Sequence, residues 1–299
     1  MPLSLYRYQF QAMGSPCELQ FYSPNEQLAA AVKNHVISDV IRIEHKYSRY
    51  REDSVLAEIN RAAAIGGSVF IDDETAALLN YANTCYQQSQ GLFDITSGVL
   101  RTIWNFKSNT LPGKAEIRKA LKQIGWQKVT IHASSLSFAV KDMQLDFGGI
   151  GKEYAADRAA GIFYQHGIEH GVIDLGGDIK VLGPHADGRP WSVGIRHPRI
   201  PGALLTSVNL YAGALATSGD YERCIVINGQ RYSHILNPKS GWPVQGMASV
   251  TVLADQCVVA GSACTISMLM EKNGAKWIKQ LGLAHVWMDQ SGKTGGNLV

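Results

Sequence analysis

Between residues 27 and 46 the apolar side chains Leu28, Val32, Val36, Val40 and Ile43 recur at intervals of three or four. That period puts them on one face of an α-helix, and Asn25 supplies an N-cap ahead of it. A second helix is expected over about 74–89, opened by Asp72 and Asp73 and closed at Gly91. The segment GKAEIRKALKQIGW predicts a third, and residues 152–165 a fourth, launched from a glycine-rich turn. Further on the pattern becomes extended. Residues 171–183 read as two extended pieces around Gly176-Gly177, and strands are expected near 191–197, 206–216, 222–228 and 231–236. Asn228-Gly229 between the last two is a hairpin signal, because both central positions of a type I′ turn need positive φ. A strand near 248–254, an apolar helix over about 258–270 and a closing strand in AHVWMDQ complete the pattern.

Helices and strands mix without a regular βαβ alternation, so the chain reads as α+β rather than as a doubly wound parallel sheet. No internal repeat, low-complexity tract or linker divides it, and 299 residues can build one large domain or two small ones. Apolar residues at 45% against charged residues at 18% argue against disorder. A formal net charge of +3, carried by scattered Lys and Arg, gives no footprint for nucleic acid or membrane. No stretch approaches the roughly 20 apolar residues of a membrane span, and the start MPLSLYRYQFQAMGS lacks the apolar core of a signal peptide. The five cysteines form no C-x-x-C pair and no zinc-like cluster. They read as small core residues of a reduced, cytoplasmic protein.

Four segments offer chemistry. In LDFGGIGKEYAADRAA, residues 145–160, Gly148, Gly149 and Gly151 leave the backbone open to an anion, with a helix N-terminus and Lys152 behind them. Glu153 stands where a Walker A loop needs Ser or Thr, and Tyr154 where G-x-G-x-x-G needs its last glycine. The residues alone fit a tight strand-to-helix turn as well as a phosphate cradle. Gly176-Gly177 fits a β-bulge, the commoner use, or a close backbone contact to a ligand. In residues 216–243 the predicted hairpin carries Ser218-Gly219-Asp220 beside the strand ending in His234. The apolar neighbours of His234 indicate a partly buried imidazole suited to proton transfer, although a lone strand histidine is more often structural. Asp94 and Thr96 in GLFDITSGVLRTIW sit between apolar neighbours, so Asp94 needs a partner, either a helix end or the polar edge of a ligand.

Taken together and in this order, these motifs resemble the FAD:protein FMN transferase (ApbE-like) family. The likeness starts with AMGSPCELQFY and YSRYREDSVLAEIN and continues through GLFDITSGVLRTIW, LDFGGIGKEYAADRAA and GVIDLGGDIKVLG. It ends with TSGDYERC, RYSHILNPKSG and VTVLADQCVVAGSACTISM. The resemblance implies a single domain over residues 1–299, of mixed sheets flanked by helices, with an FAD cleft between subregions. It implies Mg2+-dependent transfer of the FMN half of FAD to a threonine hydroxyl of an acceptor flavoprotein, through a phosphoester, with release of AMP. Carried over residue by residue, Met13, Tyr50, Leu92, Phe93 and Asp94 line the flavin or adenine parts, and Gly148, Lys152 and Tyr154 lie against FAD. Ser218, Gly219 and Ile235 flank the reactive end. His234 matches the histidine that takes the proton from the acceptor hydroxyl.

The family's metal site resembles Ala-Asp-x-x-x-Thr at the start of the late helix, with a backbone carbonyl at the place of Gly151. Here the corresponding residues are Ala260, Gly261 and Thr265. Gly151 and Thr265 are therefore the implied metal residues, and the carboxylate is missing, although magnesium usually takes at least one. Three accounts are open: a metal carried mainly by FAD phosphates, a carboxylate from Asp255 or another acid, or a flavin-binding protein of weak activity. Two further functions share the same motifs, an FAD pyrophosphatase releasing FMN and AMP, and a non-catalytic FAD-binding protein.

Overall fold

The computed structural model describes residues 2–108 and 110–298. Its frame is an eight-stranded sheet whose spatial order follows the chain: Ser4–Ala12, Ser15–Ser23, Gly171–Leu175, Asp178–Gly183, Gly213–Gly219, Met247–Ala254, Ala284–Asp289 and Thr294–Gly296. Every neighbouring pair is antiparallel, and with its helices the chain is the mixed α and β structure that its pattern predicts. Two tight turns of this sheet lie side by side. Ala12 pairs with Ser15 across Met13-Gly14, and Leu175 pairs with Asp178 across Gly176-Gly177. All four turn residues have positive φ, as two-residue hairpins of right-twisted strands demand. Gly176-Gly177 is therefore a hairpin turn and not the bulge expected from sequence. A Cβ on Gly176 would lie 2.6 Å from Cβ of Ser15, so the two turns meet at a point where only glycine fits.

Three helices pack one after another onto this frame. Glu26–Tyr47 buries Ala29, Val32, Val36, Val40 and Ile43, and its Asn25 cap accepts from the Leu28 N–H at 2.8 Å. It lies against the helix Gly151–Gln165, which in turn lies against Cys257–Leu269. The buried residues Ala155, Ala156, Ala159 and Ala160 let these helices approach closely. Cys257–Leu269 rests on the strands Gly213–Gly219 and Met247–Ala254, and ten of its thirteen residues are buried, which explains why its sequence is apolar all round. At the other end Phe163 meets Phe21 edge-on with ring centroids 4.8 Å apart.

Two expected elements divide. The strand predicted over 206–216 is two: Leu204–Leu210 pairs with Trp191–Arg196 in a separate ribbon, and Gly213–Gly219 joins the large sheet. The third helix covers only Lys114–Leu121; its end tightens through Gln123 and Ile124, and Gly125 at φ 145° then separates it from a short 3₁₀ turn, Trp126–Lys128. The Asn228-Gly229 hairpin forms as expected, joining Cys224–Ile227 to Gln230–Ser233.

Candidate active site

A cleft of about 640 Å³ opens where the two glycine-containing hairpin turns, the glycine-rich turn at 148–151 and the segment around His234 come together. Small-molecule and cofactor sites occupy about 300–1,000 Å³. Met13, Tyr50, Leu92, Phe93 and Asp94 line this cleft, as do Gly148, Gly151 and Lys152. On its far wall stand Ser218, Gly219, His234, Ile235 and Thr265. Tyr154 does not join them. It lies outside the cleft lining, and its hydroxyl donates to Glu74 at 2.8 Å.

The glycine-rich turn is held from beneath. One Asp146 carboxylate oxygen accepts from Gly148 N–H at 2.8 Å, and the other accepts from Arg49 Nη1 at 2.8 Å. A Cβ on Gly149 would come within 3.1 Å of Phe93, whereas one on Gly151 would meet nothing within 4 Å. The turn thus packs on Phe93 and leaves Gly151 open. The helix it launches has no side-chain cap, so its first N–H groups and its positive dipole end are available to an anion. Behind it Lys152 Nζ sits 2.7 Å from Asp178 Oδ2. Burial works against the lysine's charge, but Asp178 and Glu153 outweigh it and keep the ammonium protonated.

Glu153 is 7% exposed, and its Oε2 has no hydrogen-bond partner among the described residues. Burial first, and the charge of Asp178 second, push its carboxyl well above the usual range. Its side chain lies on Gly261: a Cβ there would sit 2.5 Å from Cγ of Glu153. Thr265, four residues beyond Gly261 on the same helix, brings its hydroxyl to 3.1 Å from the Ser218 hydroxyl. Asp255 is exposed and stands outside the cleft lining. Among the described residues no three His, Cys, Asp or Glu side chains are grouped to hold a metal ion.

His234 follows the strand Gln230–Ser233. Its backbone N–H donates to the Arg223 carbonyl at 2.9 Å, and its Nδ1 lies 3.2 Å from the same oxygen. Burial, then the charge of Arg101, hold its pKa down to about 4. The imidazole is therefore neutral at ordinary pH, with Nδ1 as donor and Nε2 as a free base. Asp94 is committed locally. Its carboxylate accepts from Thr96 N–H at 2.9 Å, from the Thr96 hydroxyl at 2.6 Å and from Trp126 N–H at 3.0 Å. Of the two partners open from sequence, a helix end and a ligand edge, the first is present in part: Trp126 opens the 3₁₀ turn Trp126–Lys128, and Thr96 supplies the other two bonds.

Residues 13–287 match the sequence model of the ApbE family. The chain belongs to that family. It is 27% identical over 268 residues to a Haemophilus influenzae protein named FAD:protein FMN transferase, covering 85% of this chain and 78% of that one. A Klebsiella pneumoniae protein of the same name is 31% identical over 84% of this chain and 78% of its own. Among solved structures, the ApbE protein of Thermotoga maritima superposes with a TM-score of 0.89 at 30% identity, covering 98% of this chain and 97% of that one. The apo form of Pseudomonas stutzeri flavinyl transferase ApbE gives 0.88 at 27% identity, over 98% and 93%.

Within this ApbE-family chain, sequence reasoning misses three features of the cleft. Glu153 reads there only as the residue that spoils a Walker A loop, and neither Asp178 nor the Arg49–Asp146 pair stands out. Asp178 follows the glycine doublet directly, so a carboxylate beside a tight turn is the available signal. The meeting of Glu153 with Gly261 has none, since it joins distant parts of the chain.

Proposed function

We propose that this chain is an FAD:protein FMN transferase that moves the FMN half of FAD to a threonine hydroxyl of an acceptor flavoprotein. The observation that carries the reading is the convergence of the glycine-rich turn and His234 on one cleft. The diphosphate of FAD lies against the N-terminus of Gly151–Gln165, where backbone donors and the dipole favour negative charge. The rings extend along Met13, Tyr50, Leu92 and Phe93. His234 Nε2 takes the proton from the acceptor hydroxyl, whose oxygen bonds to the FMN phosphorus as the pyrophosphate bridge breaks and AMP leaves. Such a base typically contributes about 10²–10⁴ in rate.

Magnesium fits the donors present, namely the Gly151 carbonyl, the Thr265 hydroxyl and an orphaned carboxylate oxygen nearby. When bound there, it would supply positive charge to offset that of the diphosphate as AMP departs. We place the activity in the cytoplasm, where the five free thiols persist. Among the described residues no helix is long and apolar enough to cross a membrane.

Incubation with FAD, Mg2+ and a threonine-bearing acceptor should give a fluorescent, covalently flavinylated band. AMP released without acceptor and without a labelled band would make the chain a pyrophosphatase instead. Tight FAD binding with neither product would make it a carrier.

A further inference from the structure

Among the described residues, the one buried carboxylate oxygen of the cleft with neither a hydrogen bond nor an ion pair belongs to Glu153, and the residue beneath it has no side chain. We propose that Glu153 is the carboxylate ligand of the divalent cation, reaching across from the glycine-turn helix into space that Gly261 leaves free. The inference rests on the magnesium-dependent reading above and says which residue supplies its carboxylate and how this chain makes room for it.

Space and unmet charge both single out Glu153. Glu153 is 7% exposed, and among the described residues it makes no salt bridge: the nearby Lys152 ammonium acts on it only from a distance and is committed to Asp178 at 2.7 Å. A buried acid without a partner is costly, and a cation or a proton is what removes the cost. The surroundings favour a hard cation. Gly151 lies two residues before Glu153 in the first turn of the same helix and is open to the cleft. Thr265 lies one helical turn beyond Gly261, on the same face of Cys257–Leu269. A carboxylate resting on Gly261 therefore lies on the helix face that carries Thr265, one turn away. Backbone carbonyl, hydroxyl and carboxylate are all oxygen donors of the type magnesium selects, and waters and substrate phosphates ordinarily complete its shell.

The contact also explains the glycine. With a Cβ at 261 only 2.5 Å from Cγ of Glu153, this chain has room for one carboxylate at this point, carried by either helix. Gly261→Asp alone puts two acids into one volume. Combined with Glu153→Gly, it moves the same charge from one helix to the other.

The test uses the full chain with excess FAD and no acceptor, titrated with Mn2+ and followed by the electron paramagnetic resonance of the free ion. Far-ultraviolet circular dichroism and FAD affinity are recorded alongside. Glu153→Gln, nearly isosteric and uncharged, should weaken Mn2+ at least about ten-fold, the scale on which even an outer partner of a metal ligand matters. Its FAD affinity without metal should be nearly unchanged. The double variant Glu153→Gly with Gly261→Asp should recover Mn2+ affinity to within a few-fold of the parent. A folded Glu153→Gln chain with unaltered Mn2+ affinity would overturn this inference alone. A parent chain that binds FAD but no Mn2+ would overturn it together with the metal requirement. Should Glu153→Gln not fold, the double variant decides, and no gain over Glu153→Gly would overturn the proposal.

Discussion

Nδ1 of His234 and the carbonyl oxygen of Arg223 lie 3.2 Å apart, and the backbone N–H of His234 donates to that same oxygen. A carbonyl only accepts, so Nδ1 carries the ring proton and Nε2 is left as the basic nitrogen of a ring that lines the cleft. With its pKa held down to about 4, by burial and then by Arg101, the ring takes a proton only in acid. Its neutral, proton-accepting form is present at neutral pH and is lost as pH falls through about 4. The acid limb of kcat/KM for FAD, which reports the free enzyme, should accordingly lie well below the usual histidine value of about 6.5. A limb at or above that value would remove His234 from the role of base. His234→Ala should lower transfer by about 10²–10⁴ and leave FAD binding nearly intact by fluorescence titration.

Asp94 lines the cleft yet gives its carboxylate to Thr96 and to the Trp126 backbone. Its main task is thus to fold the 92–98 loop against Gly125 and Trp126, a link extended by Gly125 N–H donating to the Thr96 hydroxyl at 2.8 Å. Asp94→Ala strands these donors in the interior, at about 1–3 kcal/mol for an unsatisfied group. A total loss of about 2–4 kcal/mol is expected by denaturant unfolding. Weaker FAD binding with unchanged stability would instead assign Asp94 to the ligand.

The parts of this fold that are readable in sequence are those fixed by local periodicity or local turn chemistry. The first helix, with Val32, Val36 and Val40 buried as spaced, and the Asn228-Gly229 hairpin are of this kind. The strand expected over 206–216 divides because apolar residues run through the turn at 211–212 without an Asn-Gly or Asp-Gly mark, so one run feeds two sheets. The strands Ser4–Ala12 and Ser15–Ser23 lie outside the expected set, although Tyr6, Tyr8 and Phe10 alternate toward the core. The Met13-Gly14 turn joining them puts φ 53° on a methionine, which no turn propensity announces. The motifs identify most of the cleft residues by type, but their meeting in one place depends on sheet topology. That is why the motif assigns Tyr154 to FAD while its side chain in fact turns toward Glu74.

Tyr50 is 84% exposed although it lines the cleft, and the Arg49 guanidinium stands 5.9 Å from its ring centroid. An aromatic ring left in water beside a cleft contributes little to folding and is free to stack on a planar ligand. Tyr50→Ala should therefore leave thermal stability within experimental error. FAD affinity should fall roughly five- to hundred-fold, the range of one base–aromatic stack. Tyr50→Phe should retain it. Equal losses in both variants would mean that the hydroxyl, not the ring, binds.

Asp157 tests how the late helix is held. The Gln256 cap position of Cys257–Leu269 makes no side-chain bond. Instead, Asp157 of the neighbouring helix accepts from Cys257 N–H and Val258 N–H, each at 2.9 Å. One carboxylate thus closes the N-terminus of a helix to which it does not belong, where the dipole also favours its charge. The same bond sets the position of Gly261 and Thr265 relative to Glu153, because both helices carry cleft residues. Asp157→Ala should destabilise the chain by about 1–3 kcal/mol, and Asp157→Asn by less, since one amide oxygen still accepts. Beyond stability, Asp157→Ala should weaken Mn2+ binding more than FAD binding, because the helix it frees carries Thr265 while the glycine-rich turn is anchored separately by Asp146. If both affinities fell together, the two helices would be moving as one body and the turn's own anchor would not be sufficient to hold it.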